Sequence, residues 1–338
     1  MERVTIEDVE LVLTSPVRQD LEWIGQEELV EQILASWLIA GEKDLPLCPR
    51  LIGKPGAGKT TLACFAARAA GLDVYIHQCT VDTRPEDLLV TPVLSRGGSI
   101  SYHASPLVSA MVRGSAVVLD EANRMSEKSW ASLAPLLDHR RYVESIVAGI
   151  RIPAAPAFRA CITMNDDAST YEIPEYMLSR IQPSISVEFP EKEEELRILK
   201  YHLPFAPQQI LDMTVEFLES ARRHGLGHST RDGINIVRYA VKLGRRELDR
   251  GVPEHEATSP KDRFDRSVRK ILGEEAFDLE KHSLRKVPPQ HLDLREFFAS
   301  IQGIDPDDEI GEGEQRPEGP KEGPRRPPRG PRKGGKPT

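Results

Sequence analysis

Apolar residues fall into two rhythms along this chain. Over the first 190 residues they gather in short runs at Leu51-Ile52, Val74-Tyr75-Ile76, Ala116-Val117-Val118-Leu119, Ala160-Cys161-Ile162 and Ile185-Ser186-Val187. Runs of this kind read as strands buried on both faces, as in a parallel sheet. Helical stretches separate them, for example Thr61 to Ala70, closed by Gly71, and Pro106 to Gly114. Alternation of this sort predicts a three-layer α/β domain with a parallel five-stranded sheet over 1–190. A lead-in helix is expected over Glu27–Gly41, where Leu29, Ile33, Trp37 and Ala40 recur at helical spacing and Gly41 serves as C-cap. Residues 1–22 read as mixed helical and extended fragments. Extended pieces around Ser95-Arg96-Gly97-Gly98-Ser99 and around Gly149 predict two hairpins, over 91–102 and 142–157.

From Pro190 the strand rhythm stops. Helical periodicity takes over at Glu191–Tyr201, Pro207–His224, Thr230–Leu248 and Lys261–Glu275, which predicts an all-helical domain over 191–280. Residues 281–302 hold a short amphipathic helix, Leu292–Ile301. The stretch 303–338 is rich in proline and glycine, first acidic and then basic, and its composition predicts disorder.

Composition refines this picture. The chain has 338 residues, 39% of them apolar, enough for two packed units plus a tail. A net charge of −8 argues against a general nucleic-acid binder. The four cysteines are far apart, and three of them sit in apolar contexts as small core residues. No apolar signal region and no bilayer-length run is present, so a reducing, cytoplasmic setting is expected.

The chemistry enters at Gly53-Lys54-Pro55-Gly56-Ala57-Gly58-Lys59-Thr60, which follows a strand and opens a helix. This is the phosphate-binding loop, G-x-x-x-x-G-K-[ST]. Its glycines turn backbone N–H groups onto phosphate oxygens, its lysine reaches the β- and γ-phosphates, and its threonine hydroxyl can ligate Mg²⁺. Pro55, Gly56, Ala57, Gly58, Lys59, Thr60 and Thr61 are therefore candidate ATP-binding residues. The strand Ala116–Leu119 runs into Asp120-Glu121, two carboxylates where ligands bind in such sheets. With the loop upstream, Asp120 is the candidate second Mg²⁺ ligand and Glu121 the candidate base for water.

Together these motifs resemble an AAA+ ATPase of the MoxR-like group, over roughly residues 20 to 280. Val118-Leu119-Asp120-Glu121-Ala122-Asn123-Arg124 is similar to that group's acidic strand, Thr163-Met164-Asn165 to its sensor-1 strand, Leu178-Ser179-Arg180 to its arginine-finger segment, and Ser229-Thr230-Arg231 to its sensor-2 segment. The resemblance implies that the helical domain is a lid, that Asn165 orients the attacking water, and that Arg231 touches the γ-phosphate from the lid. It also implies that Arg180 reaches a neighbouring subunit's site, in a homo-oligomeric, hexameric ring. Ile24 and Gly25 stand where relatives line the adenine pocket, and the two hairpins where relatives face a protein client. A partner with a von Willebrand factor A domain is common in the group. Two positions depart from its pattern: Ile181-Gln182 follows Arg180, and His103 to Leu107 replaces a Gly-Pro step. Arg124 and Arg151 read as surface cations, and His77, His103 and His139 as structural residues. Mg²⁺-dependent ATP hydrolysis driving remodelling of a protein is the expectation. An ATPase acting on nucleic acid and a ring component that seldom hydrolyses are the rivals, disfavoured by the acidic body and by the intact Glu121 and Asn165.

Overall fold

A computed structural model of the chain describes residues 2–277, apart from 19–21, 95–97, 167–171 and 254–255. The helix expected over Leu292–Ile301 and the tail from Gly303 lie outside the described residues, as do Ser95, Arg96 and Gly97 of the first expected hairpin. In chain order the elements are β1 (Arg3–Ile6), β2 (Val9–Val12), α1 (Glu27–Trp37), β3 (Arg50–Gly53), α2 (Lys59–Ala69), β4 (Val74–Gln78), α3 (Pro85–Leu88), β5 (Val90–Leu94), β6 (Ile100–Ala104), α4 (Pro106–Arg113) and β7 (Ala116–Asp120). There follow α5 (Glu127–Leu133), β8 (Tyr142–Ser145), β9 (Ile150–Pro153), β10 (Arg159–Asn165), α6 (Glu175–Leu178), β11 (Ser184–Ser186), α7 (Lys192–His202), α8 (Gln208–Arg223), α9 (Thr230–Asp249) and α10 (Pro260–Leu272).

The five expected strands form one sheet in the order β11-β3-β10-β7-β4, parallel throughout. This is a three-layer, phosphate-loop NTPase-like fold. Because strand side chains alternate between faces, each central strand feeds two cores. Ala116 and Val118 of β7 and Cys161 of β10 pack with Val30 and Ile33 of α1 and with Leu62, Ala63 and Ala66 of α2. Val117, Leu119, Ile162 and Met164 face the other way, onto Leu107 and Val108 of α4 and Trp130 and Leu133 of α5. All four cysteines are buried in these layers. Burial pushes the Cys48 and Cys79 thiols up to about 12, which leaves them inert at neutral pH.

The register brings the functional strand ends level. Asn165 stands opposite Gly53, Ile162 opposite Leu119, and Asp120 opposite Gln78. Thus the loop after β3, the acids after β7 and the polar end of β10 emerge side by side.

Both hairpins form, β5 against β6 and β8 against β9. The first is larger than the sequence suggests. The segment expected to be mixed contains two strands, and β2 pairs parallel with β6, giving a four-stranded sheet β1-β2-β6-β5. Leu11 and Leu13 carry it into the core beside Leu89 and Leu107. The lead-in helix also differs: it ends at Trp37, and Gly41 is not its cap. Tertiary bonds stop it there. Arg159 Nε takes the Trp37 carbonyl at 2.8 Å, and the Trp37 indole donates to the Ala160 carbonyl at 3.0 Å.

The C-terminal part is helical, as its periodicity predicts. Leu199, Leu203, Ile210, Leu211, Val215 and Val237 make one cluster, and Phe217, Leu218, Ile236, Phe264 and Val268 another. A buried polar joint ties these helices together. Glu195 is 1% exposed, accepts two bonds from Arg222 at 2.7 and 2.9 Å, and accepts a third from the Thr230 hydroxyl at 2.8 Å. A buried carboxylate requires such compensation.

Candidate active site

The phosphate-binding loop spans the gap between β3 and α2, and two of its glycines have backbones that other residues avoid. Gly56 (φ 80°) lies under Ser229, whose side chain would stand 2.5 Å from any added Cβ. Gly58 (φ 91°) lies under the Trp23 ring, 2.9 Å from such a Cβ. The loop is thus roofed by the start of α9 and by the segment before α1. Lys59 is buried, and its ammonium donates to the Gly53 and Lys54 carbonyls at 2.8 and 2.9 Å.

Three strand ends meet beside the first turn of α2. Asp120 continues the face of Ala116 and Val118, while Thr163 and Asn165 continue the face of Cys161, so all three point to the α2 side of the sheet. The Thr60 and Thr163 hydroxyls both donate to Asp120 Oδ1, each at 2.6 Å. Glu121 lies just past β7 with φ 53° and ψ 40°, in the left-handed region. Non-glycine residues there are uncommon and carry strain, which gathers at functional sites. Its amide is held by Thr163 Oγ1 at 3.0 Å. Its carboxylate accepts from Asn165 Nδ2 at 3.1 Å and pairs with Arg124 Nε at 2.7 Å. Arg124 is therefore engaged with Glu121 and is not a loose surface cation. Arg151 does sit at the surface, on the second hairpin, paired with Glu144 at 2.7 Å.

A polar cleft is lined by Pro55, Gly56, Lys59, Asp120, Glu121, Thr163, Asn165 and Arg231, together with Gly58, Thr60 and Thr61. Next to it, a more apolar cleft is lined by Trp23, Ile24, Gln26, Ala57, Ile198, His202 and Ile234 among others. Gly56, Gly58, Thr61 and Arg231 line both. Gly25 supplies a turn beside the second cleft, and its neighbour Gln26 donates its backbone N–H to Glu194 at 3.1 Å. Burial, with Arg238 nearby, lowers the His202 pKa and favours a neutral ring.

These residues fit a magnesium nucleotide. Two hard oxygen donors, Thr60 Oγ1 and Asp120 Oδ1, converge beside the loop, as a cation that keeps waters and phosphates in its shell requires. In the apolar cleft, Trp23 Nε1 and Gln26 Oε1 are buried with no hydrogen-bond partner, one donor and one acceptor.

Arg180 is elsewhere. It lines a separate cleft with Leu45, Leu47 and Phe158, donates to the Tyr176 carbonyl and stands 3.5 Å from Asp138. Asp138 is held at about pKa 2, chiefly by its bonds from Arg140. Of the sequence-predicted residues, then, the chain gathers the loop, Asp120, Glu121, Asn165, Arg231 and Ile24, and leaves Arg180 outside. Sequence reasoning missed Thr163, Arg124 and Trp23. Thr163 was within reach, since residues two apart on a strand share a face and Asn165 lies two positions on.

Residues 50–181 match the family model described as AAA domain, dynein-related subfamily. Over this stretch the chain is similar to that family. An uncharacterised protein of Staphylococcus epidermidis is 25% identical over 177 residues, covering 51% of this chain and 67% of its own length. Midasin of Dictyostelium discoideum is 26% identical over 179 residues, 51% of this chain and 3% of midasin. Among solved structures, the RuvB Holliday junction branch migration motor of Thermotoga maritima aligns over 83% of each chain at 14% identity, with a TM-score of 0.49. Among the described residues no helix is long and apolar enough to cross a membrane.

Proposed function

We propose that the protein is a Mg²⁺-dependent ATPase of the MoxR type that couples hydrolysis to the maturation or assembly of a partner protein. The observation that carries the reading is the convergence of Thr60 and Thr163 on one oxygen of Asp120, with Glu121 and Asn165 bonded to each other beside it. Thr60 and Asp120 would hold Mg²⁺, which would offset phosphate charge. Lys59 exchanges its carbonyl partners for phosphate oxygens. Glu121 accepts the proton of the attacking water, Asn165 keeps that water in line, and Arg231 contacts the γ-phosphate from the start of α9. Arg180, outside this cleft in its own chain, serves the site of a neighbouring subunit in a ring, which we take to be hexameric and cytoplasmic. The hairpins β5–β6 and β8–β9 face the client, and a von Willebrand factor A domain protein fits the partner role.

ADP release by the purified protein, with and without chelation of Mg²⁺, tests the chemistry. Activity abolished by chelator and by Glu121→Gln is the expected result; equal rates for Glu121→Gln and wild type would remove the base assignment. Co-purification with ATP-loaded Glu121→Gln tests the coupling, and the absence of any stoichiometric protein partner would count against a remodelling role.

A further inference from the structure

Glu121 is the residue on which the proposed hydrolysis turns, and the structure shows how its side chain is aimed. The chain leaves β7 at Asp120, takes the left-handed conformation at Glu121, and then makes a single 3₁₀ turn over Ala122–Arg124. In a 3₁₀ turn, side chains three apart lie above one another. Arg124, three residues on from Glu121, brings its Nε to 2.7 Å from Oε2 as an ion pair, its N–H not aligned for a hydrogen bond. The opposite oxygen, Oε1, accepts from Asn165. The turn itself is fastened to β10 at two points, by Glu121 N–H on Thr163 Oγ1 at 3.0 Å and by Asn123 Nδ2 on the Asn165 carbonyl at 2.9 Å. Glu121 lines the phosphate cleft and Arg124 does not.

We propose that Arg124 is a positioning residue for Glu121: its charge beside Oε2, together with the Asn165 bond to Oε1, clamps the carboxylate toward the attacking water. This rests on Glu121 being the base. An ordinary half-exposed ion pair contributes little. Here it differs because its partner is strained, is bonded through its other oxygen, and hangs from a turn fastened to the neighbouring strand. A carboxylate clamped on one side only would swing, and a misplacement of about 1 Å in a catalytic group costs up to about a hundredfold in rate.

The test is steady-state hydrolysis by Arg124→Ala, Arg124→Lys and Glu121→Gln, with affinity for a non-hydrolysable ATP analogue and the thermal midpoint measured alongside. Arg124→Ala should lower kcat about tenfold or more with KM and analogue affinity unchanged, and Arg124→Lys, which restores a cation, should recover part of the loss. Wild-type kcat in Arg124→Ala, a loss expressed mainly in KM, or no recovery by lysine would each overturn the clamp. If Arg124→Ala proves unstable, Arg124→Gln, which keeps the stem without the charge, takes its place under the same criteria. A Glu121→Gln protein that hydrolyses normally removes the base and the clamp together. A dead Glu121→Gln beside a normal Arg124→Ala removes the clamp alone.

Discussion

The two halves of the proposed nucleotide cleft are built from different materials. In the phosphate half, Asp120, Thr163 and Asn165 stand on strand ends whose relative heights are fixed by the sheet register, with Thr163 bonded to Asp120 and Asn165 to Glu121. In the base half, Trp23 and Ile24 come from the segment before α1, and Ile198, His202 and Ile234 from α7 and α9, with contacts that are largely apolar. Positions tied to a parallel ladder move little. Positions on helices and a connecting segment can shift as those elements repack. Fixed polar groups suit transition-state chemistry, whereas an adjustable apolar pocket suits binding. The phosphate half should therefore set the rate and the base half the affinity.

The largest effect should come from the phosphate half. A general base contributes about 10²–10⁴-fold, so Glu121→Gln should lose that much in kcat while its affinity for an ATP analogue stays within about twofold. A comparable loss of affinity would break the division, because it would make Glu121 a binding residue. Trp23→Ala should do the reverse. Stacking of a base on an aromatic is worth about 1–3 kcal/mol by alanine substitution, so KM for ATP should rise about tenfold while kcat at saturation is kept. If kcat falls instead, Trp23 governs the shape of the loop through Gly58, and the division does not run between the two clefts. Thr163→Val keeps shape and removes one hydroxyl that donates to Asp120 and accepts from Glu121. A hydrogen bond to a charged group contributes about 1.5–3 kcal/mol, of which we expect part to appear as a several-fold loss in kcat, with KM little changed.

The same contrast governs what the sequence reveals. The phosphate half is local: loop residues are contiguous, Asp120 and Glu121 end one apolar run, and Asn165 ends another, so their chemistry follows from pattern and strand geometry. The five-stranded sheet was legible for the same reason. The base half is non-local. Nothing in the spacing of Trp23, Ile198, His202 and Ile234 says that they meet, because their meeting depends on how α7 and α9 pack over the loop. The partner of β6 was hidden likewise: β2 is a short run, Val9–Val12, whose parallel pairing with a strand some ninety residues on leaves no local trace. Arg124 shows a third limit. Its role depends on a left-handed Glu121, and backbone handedness at a glutamate is not written in its side chain.

The smallest effect should arise where the base half is joined to the helical part. Glu194, in the first turn of α7, accepts the Gln26 N–H at 3.1 Å, and its carboxylate occupies the space that a Cβ on Gly25 would need. Gly25 (φ 81°) and Gln26 (φ 43°) form the left-handed turn that carries Trp23 and Ile24 over the cleft. The carboxylate therefore holds the turn without touching the phosphate half. Glu194→Ala removes one hydrogen bond, about 0.5–1.5 kcal/mol net, and lets the turn loosen, so KM for ATP should rise by about two- to fivefold with kcat intact. Glu194→Gln retains an oxygen acceptor for the Gln26 N–H and should keep the wild-type KM, which separates loss of the bond from loss of charge. A fall in kcat with KM unchanged would show that α7 acts on the phosphate half through this contact. No change in either constant would show that the Gly25-Gln26 turn holds itself and that the base half is as rigid as its neighbour.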